Sequence, residues 1–404
     1  MPATLAARFD PATPVRVRMV SDIASLEAFA PEWNDLCTHD ATAGVFGSPA
    51  WIINWWKGFS HGDSPSALTM NDGTDHVSVS GFDWKMHVFV VVEHPSGRAV
   101  AVLPMVSVLG RFGNSRGRFL STAVNGHSPR SAICAVRFDD AVVAALCDAI
   151  AADASWDTLI LDGLSMAGDR VQRLVAALGE RGLAPKVQSQ WAHSFLGHPG
   201  ISYDQLLESH NRNFRKHIWQ DERALAKLGT IEVQRHAGED AFRTGYPLFV
   251  AIDGQSWKAS RGEALANVPA LERYYGELVQ RLARDGHAEV WILKVGGEPA
   301  AGYICLRDAG AIYSLKTSYS ERFSGSSRIS PSHVLLAKII EHAIETDGCD
   351  VDFVGKKQFV ERWADRDLCF THLVFERPAF TRFIGRVRRA LSPRPSAVVA
   401  DPIS

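Results

Sequence analysis

The segment AIYSLKTSYSERFSGSSRISPSHVLLAKIIEHAIETDGCDVDFVG, residues 311–355, decides how the chain is read. Ala311 to Thr317 reads as a strand, and Ser318 to Ile329 as a polar loop rich in Gly, Ser and Arg. Ser330-Pro331-Ser332 then opens a helix, because proline's missing N–H costs nothing in a first turn. Val334, Leu335, Leu336, Ile339, Ile340, Ala343 and Ile344 recur at helical spacing up to Thr346, with Lys338, Glu341, His342 and Glu345 outside the stripe. Cys349 to Val354 reads as a second strand. A polar loop feeding a helix N-terminus leaves backbone N–H groups without intrahelical partners at the positive end of the helix dipole. Such a place suits the phosphates of a nucleotide-type ligand. The competing reading is an ordinary serine-capped helix after a surface loop.

A meander precedes this segment: Ala288 to Val295, a Gly296-Gly297 turn, Pro299 to Leu306, and a turn at Asp308 to Gly310. The same order occurs earlier, with strands Lys85–Val92, Arg98–Val108 and Phe119–Thr122. The loop Asn125 to Arg130, a helix from Asp139 to Ala152 and a strand from Thr158 to Gly163 complete it. Identity between the halves is slight, so the repeat is one of fold rather than of sequence. Ahead of the first meander lie a strand (Val15–Val20), a helix (Ile23–Cys37) and a helix begun by Ser48-Pro49, while His61 to Gly81 reads as a mobile loop. Between the repeats run a helix (Asp169–Gly182), a Gly/Pro turn (His198–Ser202), a basic helix (Tyr203–Leu228) and a strand (Thr230–Arg235). A helix (Gly238–Ile252), a Ser256-Trp257-Lys258 loop and a helix (Pro269–Arg284) follow. These elements predict an α/β chain with a loose arm over 1–14, two domains over 15–198 and 199–376, and a basic tail over 377–404.

With 404 residues, two domains are the expectation from length alone. The balance of 43 Lys and Arg against 45 Asp and Glu gives a formal charge of −2, which carries no whole-chain signature of nucleic-acid binding. The six cysteines are scattered, and neither a C-x-x-C nor a Cys/His cluster with zinc spacing is present, so neither a structural metal nor a disulfide framework is expected. Reduced thiols and a cytoplasmic setting fit that usage. The first twenty residues lack an apolar h-region, and no window of about 18 apolar residues occurs.

Asn213-Phe-Arg-Lys216, Ser256-Trp-Lys258, Leu293 and Gly297 in the second meander, Tyr313-Ser-Leu-Lys316 with Tyr319, Ser330-Pro331 and Asp352-Phe353 together resemble the CelD/BcsL-type acetyltransferases. These form a FemAB-like branch of the GNAT superfamily. The resemblance covers roughly residues 200–375, and Phe46-Gly-Ser-Pro-Ala-Trp51 is similar to the family's opening. It implies two tandem GNAT-like domains with mixed, largely antiparallel sheets flanked by helices. It also implies transfer of an acetyl group from acetyl-CoA to an amine, typically an amino sugar of an envelope or exopolysaccharide precursor. The chain departs from the family pattern in having Ser332 where glycine is common, and Phe359-Val360 before Trp363 where a Tyr-Lys pair is common.

Within that frame, Arg328, Ser330, Ser332 and His333 are the candidates for holding the CoA diphosphate. Direct acyl transfer also needs a base for the acceptor ammonium and stabilisation of the leaving thiolate. Asp352 is the candidate base: strand alternation puts it on one face with Asp350, and two carboxylates there would raise one pKa. The alternative is that they pair with nearby Arg or Lys. Tyr319 is the candidate proton donor to the thiolate or a packing residue, and Lys316 meets the acceptor or a phosphate. Trp257 and Lys258 could stack on a sugar and hold an acidic group. Arg215, on the basic helix, and His127, in the first-half loop, are acceptor-side candidates, each with a plain structural alternative. The segment Phe380 to Leu391 has apolar residues at helical spacing among arginines; it reads either as a contact with an anionic membrane surface or as a packed terminal helix. Two further functions compete: a FemAB-like transferase using aminoacyl-tRNA, and a non-catalytic scaffold of a polysaccharide-synthesis complex.

Overall fold

Fourteen strands among the described residues hydrogen-bond into one sheet in a computed structural model that describes residues 13–40, 42–60, 68–71, 76–112, 115–308, 310–324 and 329–378. The first-half strands are β1 (Val15–Val20), β2 (Leu68–Asn71), β3 (His76–Glu93), β4 (Ala99–Phe112), β5 (Ser115–Thr122), β6 (Cys134–Ala135), β7 (Thr158–Ser165) and β8 (Pro185–Leu196). The second half supplies β9 (Ile231–Ala237), β10 (Ala288–Val295), β11 (Glu298–Asp308), β12 (Ala311–Tyr319), β13 (Asp350–Asp352) and β14 (Arg366–Glu376). The sheet order is β1-β3-β4-β5-β7-β14-β8-β13-β12-β11-β10-β9, with β2 and β6 paired to β3 and β4.

Each half builds the same core motif. The meander β3-β4-β5 ends on a parallel pair with β7, and β10-β11-β12 ends on a parallel pair with β13. The halves then exchange strands. β8 leaves the first half to pair antiparallel with β13, and β14 returns from the second half to lie between β7 and β8. Neither strand was expected from local sequence, and together they make one sheet from two.

The helices are α1 (Ile23–His39), α2 (Pro49–Phe59), α3 (Asp140–Ala152), α4 (Arg170–Glu180), α5 (Tyr203–Ser209), α6 (Arg212–Ala226), α7 (Tyr246–Asp253), α8 (Trp257–Ser260), α9 (Pro269–Arg284), α10 (Glu321–Ser324), α11 (Pro331–His342) and α12 (Gln358–Glu361). α1, α2, α7 and α9 share one apolar core spanning both halves, because successive strand residues point to opposite faces. On the other face, α3 and α4 cover the first half, while α5, α6 and α11 cover the second. α9 shows why it lies inside: Leu271, Tyr274, Tyr275, Leu278, Val279 and Leu282 are buried at three- and four-residue spacing, and Pro269 starts the helix.

Several expected boundaries move for local reasons. The expected helix 203–228 is two helices, because the Asn211 side chain accepts from Phe214 N at 2.9 Å and starts α6 afresh. Ser256 likewise caps a short helix where a loop was expected. The helices expected over 238–252 and 331–346 each contain a wider π turn, at Ala241–Gly245 and Ala343–Asp347. The expected mobile loop 61–81 contains β2 and the start of β3; residues 61–67 and 72–75 lie outside the described residues.

α2 meets α9 with little clearance. A Cβ on Gly58 would stand 2.7 Å from Tyr274 Cδ2, and Tyr274 is fully buried. Gly58→Val is therefore expected to destabilise the protein by about 1–3 kcal/mol through overpacking. Urea unfolding would check this; an unchanged midpoint would show that the contact relaxes freely.

Candidate active site

The two parallel pairs are built alike and end differently. Phe119, Leu120 and Ser121 of β5 pair with Thr158, Leu159 and Ile160 of β7; Ala311, Ile312 and Tyr313 of β12 pair with Asp350, Val351 and Asp352 of β13. Beyond the third pair the strands part in both halves. In the first half the chain's own loop fills the opening. Thr122 Oγ1 donates to Asp162 O at 2.7 Å and accepts from Asp162 N at 3.0 Å, and Ser131 N donates to Gly163 O at 3.1 Å. Gly163, at φ +68°, lies so close to the loop that a Cβ would be 2.8 Å from Pro129 O. Glycine is required there for both reasons.

In the second half the opening stays. β12 runs on from Ser314 to Tyr319 paired to β11 but no longer to β13. A β-bulge makes Leu315 the extra residue between Ser314 and Lys316. A cavity of about 290 Å³ opens here, bounded by Leu315, by the β13 exit (Val354 to Lys357), by β8 (Trp191 to His193) and by the first-half loop carrying Asn125 and His127. Both halves contribute walls.

A polar cluster borders this cavity. Lys316 Nζ lies 4.7 Å from the centre of the Tyr275 ring, and Tyr275 Oη meets His127 Nδ1 at 3.2 Å. Lys258 Nζ donates to Asp253 Oδ1 at 2.8 Å and to Thr317 O at 3.0 Å, while Asp253 Oδ2 accepts from Leu265 N at 2.7 Å. Burial, and then the Lys258 charge, draw the Lys316 amine down to about 8. Burial, with the Lys316 and Lys258 charges, pushes His127 down to about 4, which leaves its imidazole neutral at physiological pH. Of the two lysines, Lys258 pairs with a carboxylate, whereas among the described residues Lys316 lies against an aromatic face and forms no ion pair.

Asp352, expected as a base, is buried in an ion pair. Arg130 Nη1 and Nη2 donate to its two oxygens at 2.6 Å each, and Asp352 Oδ1 also accepts from Val354 N at 2.9 Å. Arg130 Nε donates to His193 Nδ1 at 3.0 Å, and burial with the neighbouring guanidinium depresses that imidazole's pKa strongly. Asp350 does not crowd Asp352; its Oδ1 accepts from His198 N at 2.7 Å. The predicted repulsion between two carboxylates is replaced by pairing across the halves. Val354, at φ +46°, is a β-branched residue in the left-handed region, held there beside the cavity by the Asp352 hydrogen bond.

The mouth of α11 carries Ser330, Ser332 and His333, the residues expected at an anion site. Ser330 is the cap residue but makes no capping side-chain bond; its Oγ lies 3.3 Å from Ser332 Oγ. The Asp221 carboxylate of α6 accepts from the Ser330 N–H, and burial raises its pKa. His333 packs on Phe359 at 4.9 Å, and burial with the nearby Arg362 charge pushes it down to about 4. Arg328 lies outside the described residues, as does the tail beyond Pro378. Arg215 is half-buried on α6, across the sheet from Lys316. Tyr319 packs on that same far face. Trp257 is partly exposed, with the Arg261 guanidinium 4.7 Å from its ring centre.

The structure thus gathers Lys316, Lys258 and His127 and adds Tyr275, Asp253, Arg130 and His193, none of which sequence singled out. Arg130 was in plain view, closing the loop that carries His127. Tyr275 was hidden within an ordinary apolar stripe. Among the described residues no group of His, Cys, Asp and Glu could hold a metal ion, and no helix is long and apolar enough to cross a membrane.

Residues 212–363 match a family model described as Acetyltransferase (GNAT) domain, so the second half carries an N-acyltransferase domain of the GNAT kind. No curated protein matches the sequence. Among solved structures, FemX aligns with a TM-score of 0.53 at 13% identity, covering 85% of this chain and 96% of that one. The C-terminal domain (DUF2156) of a putative lysylphosphatidylglycerol synthetase from Agrobacterium fabrum aligns at 0.49 and 11%, covering 91% and 97%. A tandem GNAT protein from the clavulanic acid biosynthesis pathway aligns at 0.42 and 11%, covering 89% and 98%. At 13% identity the likeness to FemX is one of fold: an α/β arrangement with a large mixed sheet flanked by helices.

Proposed function

We propose that this chain transfers an acetyl group from acetyl-CoA directly to an amine, and that the acceptor is an amino sugar of an envelope or exopolysaccharide precursor. The observation that carries the donor reading is the stretch of β12 in the second half that no longer pairs with β13, its Thr317 carbonyl held by Lys258, set against its filled counterpart in the first. An extended diamide such as the pantetheine arm satisfies a free strand edge as an added strand would. Residues 314–319 would hold that arm, and the Leu315 bulge lies where the edge meets the interdomain cavity. A donor bound there supplies a thioester carbon open to attack by an amine.

The residues then divide the work. Lys316, neutral in a sizeable fraction near pH 8, accepts the proton that the acceptor ammonium must lose before its nitrogen can attack. As the C–N bond forms and the C–S bond breaks, the proton held on Lys316 is available to the departing thiolate, and the attacking nitrogen sheds its second proton to solvent to leave a neutral amide. His127 and Tyr275 orient that proton transfer as neutral hydrogen-bonding groups. Burial first, and then the charge of Lys258 held in place by Asp253, keep the Lys316 amine weakly basic. Trp191 and Asn125, which line the cavity, are placed to contact a sugar ring and its hydroxyls.

Acetyl-CoA is expected to stabilise the protein by RT ln(1 + [L]/Kd), or about 2.7 kcal/mol at a hundredfold excess over Kd, and so to raise its melting temperature with concentration. Differential scanning fluorimetry with acetyl-CoA, a charged tRNA and a soluble glucosamine polymer separates the readings. Stabilisation by the tRNA or the polymer alone, with none by acetyl-CoA, would overturn this one.

A further inference from the structure

Cysteine spacing argues against a disulfide framework, and all six thiols are free. Two of them nonetheless touch. Cys37 Sγ, in the last turn of α1, lies 3.5 Å from Cys134 Sγ of β6, across 97 residues of chain. Cys37 also donates to Gly47 O at 3.5 Å. The two backbones are clamped beside the thiols. Asp40, which follows α1 and is 4% exposed, accepts from Ala135 N at 2.7 Å and from Arg170 Nη1 at 2.6 Å. Arg170 in turn donates to Ile133 O at 2.8 Å and to Ala135 O at 2.9 Å, on either side of Cys134. A disulfide bond is about 2.05 Å long, so the sulfurs have roughly 1.5 Å to close, within the reach of side-chain rotation.

Access to the two thiols is unequal. Cys37 lines a cavity of about 460 Å³ with Thr38, Asp40, Val45, Ser48 and His287, whereas Cys134 is buried. The contact with Cys37 first, and then burial, hold the Cys134 thiol far above its ordinary pKa, so the first attack on an oxidant falls to Cys37. We propose that Cys37 and Cys134 are a redox-modification site, which a hydroperoxide converts to an intramolecular disulfide that latches α1 to β6. The Cys37 sulfur attacks one peroxide oxygen, the O–O bond breaks, and a sulfenic acid and one water form. The Cys134 sulfur then attacks the Cys37 sulfur, the S–O bond breaks, and the departing hydroxide takes the Cys134 proton as a second water. The two sulfurs lose two electrons and the peroxide gains them. Cys134 follows Arg130 by four residues, beyond the loop that carries His127. Phe46, next to Gly47, packs against the Arg130 guanidinium at 5.0 Å and the Tyr313 ring at 5.2 Å. The bond withdraws the S–H from Gly47 O and pins the end of the first-half loop, so it acts on the residues that hold Asp352.

The test uses the full chain carrying Cys369→Ser, because Cys369 is exposed and reacts on its own; five of the six cysteines remain. One equivalent of hydrogen peroxide is followed by alkylation of the free thiols and peptide mapping by mass spectrometry. The expected result is loss of two of the five thiols, a single cross-linked peptide joining Cys37 to Cys134, and full recovery with dithiothreitol. The melting temperature of the oxidised protein should rise by about 5 °C, since the bond closes a long loop. Adding Cys37→Ser should abolish the cross-link and leave Cys134 reduced. Persistence of all five thiols, or a sulfinic acid at Cys37 with Cys134 free, would reduce the contact to packing and overturn the proposal. A melting temperature that falls on oxidation would overturn the latch.

Discussion

Lys316→Met is expected to lower kcat by about 10²–10⁴-fold, the usual contribution of a positioned general base, and at the same time to make the protein more stable. The stability gain has a simple origin. Burial and the Lys258 charge hold the amine at about 8 against 10.5 for a free lysine, which costs on the order of 3 kcal/mol at neutral pH. The sign follows from proton binding. Below about pH 8 folded and unfolded chains both carry the charge, so the cost is present in full. Between pH 8 and the free value the unfolded chain binds the extra proton, so wild-type stability rises with pH and the gap to the Met variant closes. Turnover should follow the neutral amine, with kcat/KM rising up to about pH 8 and then levelling. Melting curves and pH–rate profiles on the two proteins check both halves of the prediction. A Met variant that is less stable, or that retains turnover, would assign Lys316 a packing role.

Arg130→Met is expected to destabilise the protein by about 3–5 kcal/mol, the typical cost of leaving one charge of a buried pair alone. Arg130 and Asp352 are 5% and 1% exposed, and the pair joins the first-half loop to β13. The double variant Arg130→Met/Asp352→Leu should recover most of that loss, since removing both charges also removes their desolvation. Recovery would show that the pair's worth lies in fixing the first-half loop, which brings His127 to the cavity. Asp352 serves in this scheme as an anchor, so Asp352→Leu in the double variant should raise KM more than it lowers kcat. Urea unfolding of the three variants, with KM and kcat for the double, decides the matter. An Arg130→Met protein as stable as wild type would mean that Asp352 finds water or another partner.

Much of the fold could be read from the chain because it is set by local signals. Both meanders, the Ser48 and Ser330 helix starts and the apolar stripes of α9 and α11 carry their own periodicity. β8 does not: Lys186 to Gln190 is exposed throughout, Val187 included, so Pro185 to Leu196 lacks the alternation of a half-buried strand. β14 pairs with segments roughly two hundred residues earlier, which no local window contains. The site divides in the same way. Lys316, Lys258 and His127 stood out as residue types in suggestive loops and strands. Their environment did not, because the ring under Lys316 comes from α9 and the partner of Asp352 lies 222 residues away. Alternation placed Asp350 and Asp352 on one face and suggested repulsion, whereas the first-half loop supplies the guanidinium that settles Asp352's charge. Asp221 beside Ser330 was not legible for a related reason: α6 packs on α11 from more than a hundred residues upstream.

The most direct test is difference electron density from a crystal of the full chain soaked in CoA. The account predicts the pantetheine arm as an added strand along residues 314–319, with its sulfur near Leu315 and Lys316 and no density in the first-half opening closed by Thr122 and Gly163. CoA bound elsewhere, or a bare β12 edge at saturating CoA, would contradict it.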